Sequence, residues 1–177
     1  DEDWVKLART LAPMASSDVY IDDTSGLTPS QLRSRCRRLM MDKGLDLIVL
    51  DYLQLMSSDK KAESRQVEVS EISRSLKAIA QELKVPLIAC AQLSRANEKR
   101  GGAGIKPMLS DLRDSGSIEQ DADLVMFLHR HNYYHREDPQ PDNTAEVIVA
   151  KQRNGPLDTI KLAWLAEYTL FDNLAAE

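Results

Sequence analysis

Between Leu45 and Met56 the chain reads LDLIVLDYLQLM, an almost wholly apolar run interrupted by a carboxylate at Asp51. Such a run, short and bounded by turn signals, predicts a strand buried on both faces, the kind found in parallel sheets. Upstream, Thr28, Pro29 and Gln31 fit the N-cap, first-turn proline and capping-box positions of a helix. Leu32, Cys36, Leu39 and Met40 form its inward face, and Gly44 supplies a C-cap. Downstream, the polar SSDKKAES reads as a mobile loop before a longer helix with Val69, Ile72, Leu76, Ile79, Ala80 and Leu83 on one side. A second continuous apolar strand, VPLIACAQL, runs until Gln92. Strands of this kind alternating with amphipathic helices predict an α/β fold whose parallel sheet is covered on both faces.

The rest of the chain fits around that unit. Trp4, Val5, Leu7, Ala8 and Leu11 form a helical stripe that Pro13 breaks, and DVYID, Asp18 to Asp22, reads as a strand. Ser94 to Met108 is rich in Arg, Lys and Gly and reads as a loop. ADLVMFLHR, Ala122 to Arg130, reads as another buried strand, and HNYYHREDPQPDN as a surface linker. The alternating segments AEVIVAKQ, TIKLAWLA and TLFDN predict hairpins added to the sheet in antiparallel fashion.

With 177 residues, 42% hydrophobic and 29% charged, one soluble domain is expected. No run approaches the roughly eighteen apolar residues of a membrane span, and the acidic opening DEDW is unlike a secretory signal, so a cytoplasmic protein is expected. Cys36 and Cys90, without a CxxC or Cys/His cluster, read as buried free thiols. The net charge of -5 argues against a surface coated for nonspecific nucleic-acid binding, although a few inward-facing groups suffice for local backbone contacts.

Four motifs carry candidate chemistry. Asp51 stands where a buried strand should stop, the place from which a Walker B carboxylate holds a nucleotide's magnesium; a helix cap or turn is the alternative. Gln92 ends the next strand, where a neutral amide can bond both a γ-phosphate oxygen and a neighbouring loop, or merely its own backbone. Within SDLRDSGSIEQDAD, Arg113 offers a phosphate ligand and Gly116 permits close backbone approach, unless the segment is a solvated loop. In KQRNGP, Lys151 and Arg153 lie two residues apart on a strand and so project together. That geometry suits a finger reaching a neighbouring subunit's phosphate, with an ordinary hairpin as the alternative.

Taken in order, LIVLDYLQLM, RQVEVSEISRSLKAIAQEL, ACAQLSR, SDLRDSGSIEQDAD and AKQRNGP resemble the motor domain of bacterial replicative helicases of the DnaB family, across nearly the whole chain. The resemblance implies a RecA-like P-loop NTPase core, a mostly parallel sheet flanked by helices with a C-terminal antiparallel extension. Residues 1–177 would form the C-terminal part of that domain. It implies ATP and Mg2+ as cofactors, Asp51 as the magnesium-associated carboxylate, Gln92 as the γ-phosphate-responsive residue, and Lys151 and Arg153 acting in trans. Arg113, Asp114 and Gly116 match the loop that contacts single-stranded DNA. Asp114 stands where the family often has Glu, so any phosphate contact there comes from its backbone N–H or from orienting Arg113. A homo-oligomeric, hexameric ring and partnership with primase and a helicase loader are further implications.

The sequence contains no GxxxxGK[ST], and the family's first strand and catalytic glutamate are not found in it. If the chain is the whole polypeptide, it is expected to hydrolyse no ATP. Two other readings are a non-catalytic assembly or DNA-binding module, and a fragment of a RecA-fold recombinase or clock-type ATPase.

Overall fold

The computed structural model describes residues 2–59, 61–93, 106–134 and 143–174, with the side chains of residues 113–116 and 134 outside that set. The basic loop expected over residues 94–108 therefore lies largely outside the described residues, as does most of the linker after Tyr134.

The elements in chain order are α1 (Glu2–Ala15), α2 (Pro29–Asp42), β1 (Ile48–Leu50), α3 (Arg65–Leu83), β2 (Leu87–Ala89), α4 (Gly116–Asp121), β3 (Leu124–His129), α5 (His131–Tyr134), β4 (Thr144–Gln152), β5 (Asp158–Leu165) and β6 (Leu170–Asn173). The stripe predicted for α3 becomes the spine of the core. Val69, Ile72 and Leu76 pack with Leu53 and Met56, while Ile79 and Leu83 pack with Cys36, Ile48 and Val85. Ile72 and Ile79 are wholly inaccessible to solvent. Burial of each such side chain contributes on the order of 1.5–3 kcal/mol. The helix starts where Ser64 accepts a hydrogen bond from the Val67 N–H and ends at Lys84, whose φ of 55° is left-handed.

The predicted start of α2 is realised in full. Thr28 accepts from the Gln31 N–H, and the Gln31 side chain accepts from the Thr28 N–H. The chain leaves α2 through Gly44 at φ +88°, a conformation glycine adopts without Cβ strain. β1 and β2 run parallel in the register Ile48↔Leu87 to Leu50↔Ala89. Four antiparallel strands in the order β3-β4-β5-β6 form a second sheet over a cluster of Leu112, Val125 and Phe127. Among the described strands the parallel pair is thus the smaller part and the antiparallel extension the larger.

Several expectations are corrected. The apolar strands are not buried on both faces: Ile48 is buried but Val49 is 60% exposed, and β3 alternates, with Val125, Phe127 and His129 buried and Leu124, Met126 and Leu128 exposed. An apolar run shows that a strand has no polar face; it does not show that a layer covers each side. DVYID joins no strand, and Val19, Tyr20 and Ile21 are exposed, because no described strand edge pairs with this segment. The α1 helix continues through Pro13 to Ala15 and buries none of its residues. HNYY, expected as linker, forms the short helix α5. Cys36 is a buried free thiol as expected, but Cys90 is exposed, lying just past the end of β2.

Candidate functional site

Parallel pairing of β1 with β2 makes both strands end on the same side, the side on which open α/β sheets bind ligands. Asp51 follows the last residue of β1 directly and is exposed, and the Asp51–Tyr52 peptide is cis. No described residue is hydrogen-bonded or ion-paired to its carboxylate, so its oxygens can accept from a hydrated cation. Among the described residues no group of three or more His, Cys, Asp or Glu side chains forms a cation cage. A nucleotide's magnesium, which keeps waters and takes one or two protein carboxylates, matches a lone Asp51 of this kind.

Gln92 lies three residues past the end of β2 and is also exposed. Its backbone is held by a side chain that the sequence did not single out. The Gln54 amide donates to the Gln92 carbonyl oxygen at 3.1 Å, and the Gln92 N–H donates to Gln54 Oε1 at 3.2 Å. The one carboxamide in the apolar run DYLQLM was the available signal.

The other candidates gather around α4. Arg113, Asp114 and Gly116 fall where a 3-10 segment, Leu109–Ser115, meets the first residue of α4, and their side chains lie outside the described residues. The flanks of this junction are firmly held. Leu112 is buried in the third cluster, and the Asp111 carboxylate accepts from the Met108 N–H at 2.8 Å. On the far side, Ser117 donates to Ser70 of α3 at 2.9 Å, and Ser73 of α3 donates to Asp121 at 2.7 Å.

Lys151 lies near the end of β4 and Arg153, expected on the same strand, lies in the turn just past it, yet both side chains reach the C-terminal end of α4. Lys151 Nζ donates to the carbonyl oxygens of Glu119 at 2.5 Å, Ala122 at 2.7 Å and Gln120 at 3.3 Å. A cation there satisfies carbonyls that a helix end leaves without intrahelical partners and sits at the negative end of the helix dipole. Arg153 Nη2 donates to the Gln120 carbonyl at 3.1 Å, and its Nε lies 3.4 Å from Asp123. Lys77 of α3 also pairs with Asp123. That lysine, helped by the charges of Arg153 and Lys151, holds the Asp123 carboxyl below the usual aspartate range against the opposing effect of desolvation. Asp123 and Lys77, together with Ser70, Ser73 and Gln54, escaped the sequence reading because each acts through a partner far away in the chain.

A family model described as the DnaB-like helicase C terminal domain matches residues 1–173. The chain belongs to that family. This membership sets aside the recombinase and clock-type readings. The chain is 53% identical over 174 residues to the replicative DNA helicase DnaB of Geobacillus stearothermophilus, covering 98% of this chain and 38% of that protein. It is 52% identical over 175 residues to the replicative DNA helicase DnaC of Bacillus subtilis, again covering 98% and 38%. Among solved structures, an ATPase domain superposes with a TM-score of 0.91 at 42% identity, covering 99% of this chain and 61% of that one. A DnaB-like replicative helicase solved to show its interactions with primase superposes with a TM-score of 0.90 at 42% identity, covering 99% and 42%. The similarity to DnaB-like helicase ATPase domains bears out the RecA-like α/β fold. This DnaB-like chain spans a little over a third of the length of the curated relatives it matches. No described helix is long and apolar enough to cross a membrane.

Proposed function

We propose that this chain is the C-terminal part of the motor of a replicative DNA helicase that encircles single-stranded DNA as a hexameric ring, hydrolyses ATP and unwinds the duplex. The observation that supports this reading is that Asp51 and Gln92 both follow the ends of two adjacent parallel strands, on the same side of the pair, in a chain of the DnaB-like family. Magnesium, when bound with ATP, would neutralise charge on the phosphates. Asp51 would hold that ion, and Gln92 would hydrogen-bond the terminal phosphate and so distinguish ATP from ADP.

Lys151 and Arg153 act on a neighbouring subunit's phosphates. Arg153, 54% exposed, gives up the Gln120 carbonyl and Asp123 as it extends, and Lys151 exchanges its carbonyl acceptors for phosphate oxygens. Arg113, Asp114 and Gly116 grip the DNA backbone, with α4 linking that loop to the basic pair. Primase and a helicase loader are the protein partners, and the cytoplasm is the compartment.

Fluorescence-anisotropy titration of a labelled single strand at several salt concentrations tests the reading, using the full-length protein with ATP and its Arg113→Ala variant. Arg113→Ala is expected to weaken binding and reduce the salt slope by about one charge. Full-length protein that ignores single-stranded DNA with and without ATP refutes the helicase assignment.

A further inference from the structure

Past the last paired residues of β1 and β2, the two backbones part. The ladder continues with the Cys90 N–H donating to Leu50 and the Leu53 N–H donating to Cys90, both at 2.9 Å, and then the 3-10 turn Leu53–Leu55 carries the first chain away. At the next position no backbone is left to pair with Gln92. The Gln54 carboxamide takes its place, offering Oε1 to the Gln92 N–H and Nε2 to the Gln92 carbonyl. Those two bonds reproduce with a side chain the donor and acceptor pairing of one more strand residue. Gln54 is fixed from behind as well. Its carbonyl accepts from Arg65 Nη2 at 2.5 Å, and Arg65 is paired with Glu68 at 2.5 Å in the first turn of α3.

We propose that Gln54 is a positioning residue for ATP hydrolysis, a surrogate strand segment that fixes the backbone of Gln92 just beyond the paired ends of β1 and β2. The inference rests on the reading of Gln92 given above. Gln54 itself touches neither nucleotide nor metal; it acts by denying the Gln92 backbone the freedom to drift. Only glutamine meets the requirement. Glutamate keeps the acceptor but turns a second oxygen toward the Gln92 carbonyl, and asparagine falls short by one methylene, about 1.5 Å.

Steady-state ATP hydrolysis by the full-length protein tests this with Gln54→Ala, Gln54→Glu, Gln92→Ala and the double variant Gln54→Ala/Gln92→Ala. Misplacement of a reacting group by about an ångström can cost up to about a hundredfold in rate. Gln54→Ala is therefore expected to lower kcat by about tenfold or more while KM for ATP changes by less than about twofold. Because Gln54 works through Gln92, the double variant should be no slower than Gln92→Ala alone to within about twofold. A purely structural role would not produce that loss of additivity. Should Gln54→Ala not fold, Gln54→Glu, nearly equal in volume, gives the same comparison, its own kcat loss standing in for that of the alanine variant.

Wild-type kcat in both Gln54 variants beside an impaired Gln92→Ala overturns the positioning role and leaves the reading of Gln92 intact. Losses that multiply in the double variant also overturn it, since Gln54 then acts independently. A Gln92→Ala protein with unchanged kcat overturns the reading of Gln92 and this inference together.

Discussion

Replacing Lys151 by methionine removes the ammonium while keeping an apolar chain of similar length, so the carbonyls of Glu119, Gln120 and Ala122 lose their shared donor. Hydrogen bonds to a charged group contribute about 1.5–3 kcal/mol each, and removal of the donor leaves acceptors that water reaches only in part. Two of the three bonds, at 2.5 and 2.7 Å, are short and part-buried, while the third is longer and exposed. The sum is discounted because water takes up some of the released carbonyls and because Arg153 still binds Gln120. A loss of about 2 kcal/mol from the local stability of α4 follows, or about a thirtyfold change in an opening equilibrium. Hydrogen-exchange mass spectrometry of the full-length protein reads it directly. Peptides spanning residues 116–122 should exchange about thirtyfold faster in Lys151→Met, while those from the middle of α3 stay unchanged. Protection of 116–122 within about threefold of wild type would show that the carbonyl cradle does not hold the helix, and the α4 linkage between the DNA loop and the basic pair would fall with it.

Two further predictions concern stability. Ile79→Ala removes a fully buried side chain that touches α2, β1 and the start of β2, and is expected to destabilise the protein by about 2–5 kcal/mol; urea unfolding measures it, and a loss under about 1 kcal/mol would mean that this cluster is loosely packed. Acid should weaken the fold from about pH 4 downward. Arg35, with help from Thr24, holds the Asp22 carboxyl at about 2; the Ser58 N–H and Arg65 lower Glu68, and Lys77 lowers Asp123. Each folded-state value lies below the unfolded one, near about 4, so the stabilisation is fully present above about pH 4 and is lost as pH falls through the folded values. Urea midpoints should be level from about pH 7 to 5 and drop below about 4, and Asp22→Asn should flatten the most acidic part of the slope. A midpoint that rises on acidification contradicts these ion pairs.

The helices α2 and α3 show how much one-dimensional pattern can carry. Their stripes and caps were legible because helical periodicity and a capping box are local: Thr28 meets Gln31 within one turn, and Ile72, Leu76 and Ile79 share a face whatever they pack against. Asp51 was legible as a strand end for the same reason, whereas Gln92, expected at the end of its strand, lies three residues past the end of β2. The covering of the strands was not legible. Apolarity in β1 and β3 speaks of the side chains and not of the layer beyond them, so Val49 and Leu128 prove exposed.

Local pattern, then, determined α2, α3, the strands β1 to β6, the order of the motifs and the resemblance to a helicase family, because each is written in residues a few positions apart. Tertiary structure decided where the functional side chains go. Lys151 finds its carbonyls about thirty residues upstream, and Gln54 finds the Gln92 backbone 38 residues downstream. Only the packing of α4 against α3, and of β1 beside β2, sets the distances on which those hydrogen bonds depend.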